Sequence, residues 1–320
     1  MKKLRIGVIT PGGDSPGMNA AIRAVVRISI KFGYEVFGIY RGYQGIFEGE
    51  IKELNARSVS GIIHHGGTIL KSSRCEKIKN DEGIKEAVKI LDEFKIDYLV
   101  VIGGDGSIRA ASKIAKFGVP VVCIPASIDN DVYGTDETIG FDTAIDTAVC
   151  AIDKIRDTAT SFDRIFVVEV MGREHGHLAL AVAVASGAEY VIIPEIKYDI
   201  NKIAEKILAD RNKMKSSEII IFAEGAGDEK EFGIKLEAKT DIPTRVSSLG
   251  YIQRGGSPAA RSRILASLFG EFAVKLINKN EKNKVVVLKN NKIGSIDINT
   301  VIKNEKEIDK NLLKLLTNLS

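Results

Sequence analysis

The chain has 320 residues, with 46 Lys+Arg against 42 Asp+Glu and a formal net charge of +4. Hydrophobic residues make up 44% and charged residues 28%, which suits a folded globular chain and excludes a disordered one. So small a charge excludes nucleic acid as the expected partner; basic residues with a task would act locally, on an anionic small molecule. The three cysteines, Cys75, Cys123 and Cys150, show no CxxC spacing and cannot close a disulfide framework, so a reducing, cytoplasmic location is expected. His175-Gly176-His177 carries two imidazoles close together, but no nearby cysteine or helical HExxH spacing supports them, and no zinc is expected. Lys2-Lys3 and the apolar residues after them stop at Pro11-Gly12-Gly13-Asp14, too soon for a signal peptide. The longest apolar run, Leu178–Ala185, is far short of a membrane span.

In chain order, short β-branched runs alternate with longer amphipathic stretches. Ile6–Ile9 predicts a buried strand, Asn19–Phe32 a helix and Glu35–Tyr40 a second strand. The spacing of Ile84, Ala87, Val88 and Leu91 predicts a helix over Asp81–Phe94. Tyr98–Ile102 reads as a strand, Ser107–Lys116 as a helix and Val119–Ile124 as a strand. Continuous apolar strands between helices imply a parallel sheet covered on both faces. The pattern repeats with a helix at Asp142–Ala159, a strand at Arg164–Val170, a helix at Gly176–Ser186, a strand at Tyr190–Ile193, a helix at Ile200–Asn212 and a strand at Glu218–Ala223. Two α/β domains are expected. A helix at Ala259–Asn278 and a strand at Val285–Leu288 follow, with the Lys/Asn-rich stretch Asn278–Lys292 read as solvated surface.

In open α/β sheets ligands sit at the carboxyl ends of strands, and there the chain is rich in Gly, Asp, Ser and Arg. Thr10–Asn19 (TPGGDSPGMN) can let backbone approach a phosphate at a helix start, or can be a tight turn. Gly103–Ser107 (GGDGS) places Asp105 at a helix mouth, where a carboxylate makes sense if Mg²⁺ lies between it and a phosphate. Neither loop fits GxxxxGK[ST] or a dinucleotide fingerprint. Pro125–Asp131 (PASIDND) adds Asp129 and Asp131, either an Asx-rich turn or, beside two phosphate loops, a general base for a hydroxyl attacking a phosphoryl group. Arg74, Arg156, Arg164, Arg173, Arg245 and Arg254 read as loop or element-end residues able to clamp phosphates. These features suggest a phosphotransferase.

Taken with GGDSPGMNAAIR (Gly12–Arg23), GGTIL (Gly66–Leu70), RC (Arg74–Cys75), VVIGGDGS (Val100–Ser107), SIDND (Ser127–Asp131), GTD (Gly134–Asp136), TIGFDTA (Thr138–Ala144), AIDKIRDTA (Ala151–Ala159), EVMGR (Glu169–Arg173), AEG (Ala223–Gly225) and QRGGSP (Gln253–Pro258), the chain resembles the bacterial ATP-dependent 6-phosphofructokinases over essentially its whole length. The resemblance implies two Rossmann-like three-layer α/β domains with mostly parallel sheets: an ATP-binding domain of residues 1–139 plus 253–305, and a sugar-phosphate-binding domain of residues 140–252 plus 306–320. It implies an ATP site of Gly13, Arg74, Cys75, Gly104, Asp105, Gly106 and Ser107, with Asp105 on Mg²⁺. Asp129 would take the proton of the sugar 1-hydroxyl, Asp131 would help orient it, and Arg74 and Arg173 would neutralise the transferring phosphoryl group. Ser127, Ile128, Met171, Gly172, Arg173, Glu224, Tyr251 and Arg254 would bind fructose 6-phosphate, with Arg164 and Arg245 reaching the 6-phosphate from a neighbouring subunit of a homotetramer. Arg23, Arg27, Arg156, Gly187, Glu189, Lys213 and Lys215 would form an effector site, activated by a nucleoside diphosphate and inhibited by phosphoenolpyruvate.

The chain departs from the family pattern at several places. Ser127 replaces Thr, Ala126 replaces Gly, and Tyr251 replaces a His. Gly61, Lys213 and Ser217 stand where a carboxylate, an Arg and a His are common. Pyrophosphate-dependent relatives usually carry Asp at the position of Gly106 and Lys at that of Ala126, so the small residues here favour ATP. An NAD or lipid kinase shares only GGDGS, and a non-catalytic nucleotide sensor leaves the intact Asp105, Asp129 and Arg173 unexplained. Asp163-Arg164, read as extended backbone, would point an acid and a base to opposite sides and so form an element that could exchange one for the other at the neighbour's sugar-phosphate site.

Overall fold

The computed structural model describes residues 3–212 and 217–319. In chain order its elements are β1 (Arg5–Ile9), α1 (Met18–Lys31), β2 (Glu35–Ile39), α2 (Gln44–Phe47), β3 (Ile51–Leu54), α3 (Asp81–Glu93), β4 (Tyr98–Gly103), α4 (Asp105–Lys116), β5 (Val121–Pro125), α5 (Phe141–Phe162), β6 (Ile165–Val170), α6 (His177–Ser186), β7 (Tyr190–Ile192), α7 (Ile200–Arg211), β8 (Glu218–Ala223), α8 (Glu229–Thr240), β9 (Thr244–Ser248), α9 (Ala260–Asn278), β10 (Lys284–Lys289), β11 (Lys292–Asp297), α10 (Ile298–Lys303) and α11 (Lys310–Leu319). They divide into a first unit, Met1–Thr143 with Arg254–Lys306, and a second, Ala144–Gln253 with Glu307–Ser320.

The first unit is built on a seven-stranded sheet of order β11-β10-β5-β4-β1-β2-β3. The five inner strands are parallel and the two edge strands, β3 and β11, run antiparallel to their neighbours. Successive side chains of a strand point to opposite faces. In β4, Val100 and Ile102 join a core layer with Ile22 and Val25 of α1 and Phe269 of α9. Leu99 and Val101 join the opposite layer, with Ile84 and Leu91 of α3 and Ile108 and Ile114 of α4. Burial on both faces is why these strands read as unbroken apolar runs rather than alternating ones.

The second unit carries a parallel four-stranded sheet of order β7-β8-β6-β9. Ile165, Val167, Ile220 and Phe222 pack there against Ala204 and Ile207 of α7 and Phe232 and Leu236 of α8. The architecture is therefore α/β with mostly parallel sheets, as the alternating pattern implies. Among the described residues no helix is long and apolar enough to cross a membrane.

Several expectations are corrected. Helix α4 begins at Asp105 rather than Ser107, so Asp105 and Gly106 form its first turn. Arg245 is not a loop residue but lies within β9, and Arg156 lies inside α5. Asp163 is not extended: its φ of 50° is left-handed, in the turn that follows α5. Short polar elements were not anticipated. Strand β9 (TRVSS) is too polar to show a buried strand pattern, and α8 is obscured by its charges although Asp228 caps the backbone N–H groups of Lys230 and Glu231. The strand expected at Val285–Leu288 is present as β10 and is buried, so the stretch Asn278–Lys292 is not all solvated surface, and the chain turns from it through Asn290-Asn291, both with positive φ, into β11, which was not expected.

Candidate active site

In the first unit, strands β5, β4 and β1 are adjacent and parallel, so the loops at their carboxyl ends are neighbours. Side-chain hydrogen bonds join them. The Ser107 hydroxyl donates to the Pro11 carbonyl at 2.8 Å, coupling the loops after β4 and β1. The Ser72 hydroxyl donates to the Gly12 carbonyl at 2.6 Å and so brings in the segment that carries Arg74 and Cys75. The Ala126 N–H donates to the Gly103 carbonyl at 3.0 Å, and a side chain on Gly104 would stand only 3.3 Å from the Ser127 Cβ. Gly13, Gly104, Asp105, Gly106, Ser107, Ser127 and Asp129 are therefore gathered at one edge of one sheet. Arg74 is exposed while Cys75 is buried.

The amino ends of α1 and α4 open onto this edge. In their first turns the Met18 N–H donates to the Ser15 carbonyl and the Ser107 N–H to the Gly104 carbonyl, and the macrodipole favours negative charge at both ends. Nothing outside the helix lies within 4 Å of where a Gly106 side chain would begin, which leaves open space beside the first turn of α4. The Asp105 carboxylate, in that first turn, accepts from Arg109 Nε at 2.5 Å through one oxygen. Its other oxygen is a hard donor of the kind Mg²⁺ takes, so the residues fit a metal ion carrying phosphate oxygens.

Asp129 is only 3% exposed, although it follows the end of β5. Its N–H donates to the Ser127 hydroxyl at 3.1 Å. Asn130 between the two aspartates has φ 52°, a left-handed conformation that Asn tolerates better than most residues. Its side chain donates to the Asp136 carbonyl at 3.2 Å and accepts from the Thr138 N–H at 3.0 Å. The Thr138 hydroxyl donates to the Ser127 carbonyl at 2.6 Å. The turn is thus held from inside, with the intervening Asn130 fixing the backbone between Asp129 and Asp131. Ile128 is buried beneath it. Asn130 escaped the sequence reading; an Asn between two aspartates after a strand is the signal that would have found it.

In the second unit, β8, β6 and β9 are likewise adjacent and parallel. Met171, Gly172 and Arg173 follow β6, Glu224 follows β8, and Tyr251 follows β9. Gly172 has φ 145° and Arg173 φ 52°, so the chain turns sharply after Met171. The Arg173 N–H donates to the Glu224 carboxylate at 3.0 Å. A Cβ on Gly225 would fall 2.1 Å from the Arg173 carbonyl oxygen, so this approach of the two loops needs glycine. The Met171 N–H donates to Gln253 Oε1 at 3.4 Å, and Gln253 is fully buried. Tyr251 is 78% exposed. Arg254 belongs to the first unit.

Arg164 and Arg245 lie elsewhere. Arg164 precedes β6, and Arg245 is paired with Phe166 near the start of that strand, so both are at the amino end of the sheet, opposite Met171–Arg173. Arg164 sits over the Phe162 ring, 4.6 Å from its centroid, and Arg245 is 3.9 Å from Glu237.

The phosphofructokinase family model matches residues 5–277. The chain belongs to the phosphofructokinase family. It is 50% identical over 316 residues to the ATP-dependent 6-phosphofructokinase of Halalkalibacterium halodurans and 49% identical to that of Bacillus subtilis, covering 99% of this chain and of each relative. Among solved structures it is similar to phosphofructokinase from Saccharomyces cerevisiae, with TM-score 0.87 and 35% identity over 94% of this chain and 45% of the yeast chain. A pyrophosphate-dependent phosphofructokinase from Marinobacter aquaeolei, 19% identical, covers 99% of this chain and 91% of its own with TM-score 0.86, and so shares the fold.

Of the residues expected to hold an effector, some belong to the first unit and some to the second. Arg156 Nη2 donates to the Ser186 and Gly187 carbonyls at 2.8 and 3.1 Å, and Nη1 is 3.9 Å from Glu189. Arg156, Gly187 and Glu189 thus meet at the carboxyl end of α6, where a cation satisfies the last carbonyls. Glu189 also accepts from the Ile219 N–H at 2.7 Å. Arg23 and Arg27 lie one turn apart on α1 in the first unit. Lys213 and Lys215 lie outside the described residues.

Proposed function

We propose that the chain transfers the γ-phosphoryl group of ATP to the 1-hydroxyl of fructose 6-phosphate, the committed step of glycolysis. The observation that carries this reading is the buried Asp129 carboxylate on a strand end adjacent to two phosphate-type loops of the same sheet. The backbone N–H groups at the starts of α1 and α4 receive the nucleotide phosphates, with Gly13, Arg74, Cys75 and Gly104–Ser107 as the site. Asp105 would hold Mg²⁺, which supplies neutralisation of phosphate charge when bound. Asp129 takes the proton of the attacking hydroxyl, and Asp131 orients it. Arg74 and Arg173 stabilise the charge that develops on the transferred group, a reaction dominated by positioning and electrostatics.

The nucleotide belongs to the first unit and the sugar phosphate chiefly to the second, through Met171, Gly172, Arg173, Glu224 and Tyr251. Arg164 and Arg245 serve the 6-phosphate of an adjacent subunit in a homotetramer. Their place at the far end of the sheet from Arg173 supports that division. Regulation by a nucleoside diphosphate at Arg156, Gly187, Glu189, Arg23 and Arg27 is part of the same reading, as is a cytoplasmic location. Open space at Gly106 and the full burial of Ala126 favour ATP over pyrophosphate, because a lysine at 126 would bury its charge. A coupled assay on fructose 6-phosphate with ATP and then with pyrophosphate tests the proposal. Turnover with ATP is expected; turnover with pyrophosphate alone would overturn it.

A further inference from the structure

The residues His175, His177 and Glu195 lie outside every role assigned above. Their ligand atoms, one per side chain, all fall within 4.8 Å of one another. His175 and His177 flank Gly176 at the start of α6, and their rings lie 5.8 Å apart between centroids and only 29° from parallel. His177 is 6% exposed, whereas Glu195, beyond β7, is exposed. Glu195 is not free to wander: its Oε1 accepts from the Gly176 N–H at 2.9 Å, leaving Oε2 to turn toward the imidazoles. The spacing of the two histidines alone gave no reason to expect a metal, because the third donor comes from 18 residues farther along the chain, brought back by the fold.

We propose that His175, His177 and Glu195 bind one zinc ion per chain, separate from the magnesium that accompanies ATP. Two imidazole nitrogens and one carboxylate oxygen form a recognised zinc donor set that leaves a fourth position for water. Imidazole donors favour zinc over magnesium, which prefers oxygen. Zinc bonds of about 2.0–2.1 Å place tetrahedral donors ~3.4 Å apart, so small rotations of the more accessible His175 and Glu195 side chains close the set. The Gly176 N–H on Oε1 is the outer-shell hydrogen bond that orients a ligating carboxylate. The ion would tie the segment following Arg173 to the segment following β7.

The test uses the purified full-length protein, stripped with chelator and titrated with zinc chloride against a chromophoric competitor. One zinc per chain is expected, with a rise in melting temperature, and cobalt(II) in its place should give visible d–d bands. Glu195→Gln is the decisive variant. Its amide oxygen can still accept from Gly176, so the cap on the loop survives, but the anionic ligand is gone. Zinc affinity in Glu195→Gln and in His175→Ala should fall by more than the ~10–100-fold that loss of an outer-shell partner costs, with the zinc-free melting temperature of Glu195→Gln unchanged. His177→Ala should do the same, but its buried site makes it the less clean variant. Zinc uptake that is absent in the parent protein, or equal in parent, His175→Ala and Glu195→Gln, would overturn the site.

Discussion

The loops of the first unit and those of the second hang from the same scaffold, the carboxyl ends of three adjacent parallel strands, yet they are secured differently. Around Asp129, side chains do the fixing: Ser107, Ser127, Asn130 and Thr138 each bond to backbone of the surrounding loops, and the carboxylate is buried. Around Arg173, only the backbone is held: the Glu224 and Gln253 side chains accept from the Arg173 and Met171 N–H groups, two consecutive left-handed residues turn the chain, and Gly225 permits a close contact, while the Arg173 side chain itself is exposed. A proton acceptor must be placed to within a hydrogen-bond length. A guanidinium that meets a phosphate has a long, adjustable reach, so fixing its backbone is enough.

The comparison is broken most severely at the carboxylate. Asp129→Asn keeps the shape and removes the proposed base, so kcat should fall by about 10²–10⁴-fold with KM nearly unchanged. Steady-state kinetics check this, and an unchanged kcat would take Asp129 out of its role. Next comes Gly225→Ala. The added methyl must displace the Arg173 carbonyl, at an overpacking cost of about 1–3 kcal/mol. It should appear as a KM for fructose 6-phosphate raised roughly 5- to 100-fold, with kcat lowered as well, because Arg173 is proposed to serve both the sugar phosphate and the transferred group.

Asn130→Ala sharpens the contrast from the other side. It loses two hydrogen bonds and puts alanine in a left-handed conformation, so stability should drop by about 1–3 kcal/mol in urea unfolding, with a smaller loss of kcat than for Asp129→Asn.

The smallest effect is electrostatic. Lys306 donates to the Asp136 carbonyl, and burial lowers its pKa from 10.5 to about 8 in spite of Asp136, Asp131 and Glu137 nearby. Between those two values the unfolded chain binds more protons than the folded one, so stability rises with pH across that window and the penalty is full below it. Lys306→Met should therefore raise the melting temperature at pH 7, and the gain should shrink by pH 10. A gain that is constant with pH would remove burial of the charge as the cause.

Much of this was legible in the sequence, and the limits are physical. Strands β1, β4, β5 and β8 were read to within a residue or two because both faces are buried and the apolar run is continuous. Strand β9 was missed because its burial is partial and every residue except Val246 is Thr, Arg or Ser. Asp105 and Asp129 stood out as carboxylates at strand ends. Asn130 did not, because its contribution is a backbone angle and two bonds across the turn. Glu195 could not be joined to His175 and His177 without the fold. Asp163 misled because a left-handed residue at a helix end is indistinguishable by composition from an extended one.

The discontinuity of the first unit also sets an order of events during synthesis. Its sheet is finished by β10, which pairs with β5 across residues Lys284 and Val122, and by β11 beside it. The helices α1 and α9 that share one core layer are still farther apart along the chain. The sheet of the second unit, by contrast, lies wholly within residues 165–248 and is continuous. A growing chain emerges amino terminus first, and contacts between distant residues form slowly because a long loop must close. The second sheet can therefore assemble while the first still waits, with the edge of β5 unpaired, for the ribosome to deliver its last two strands.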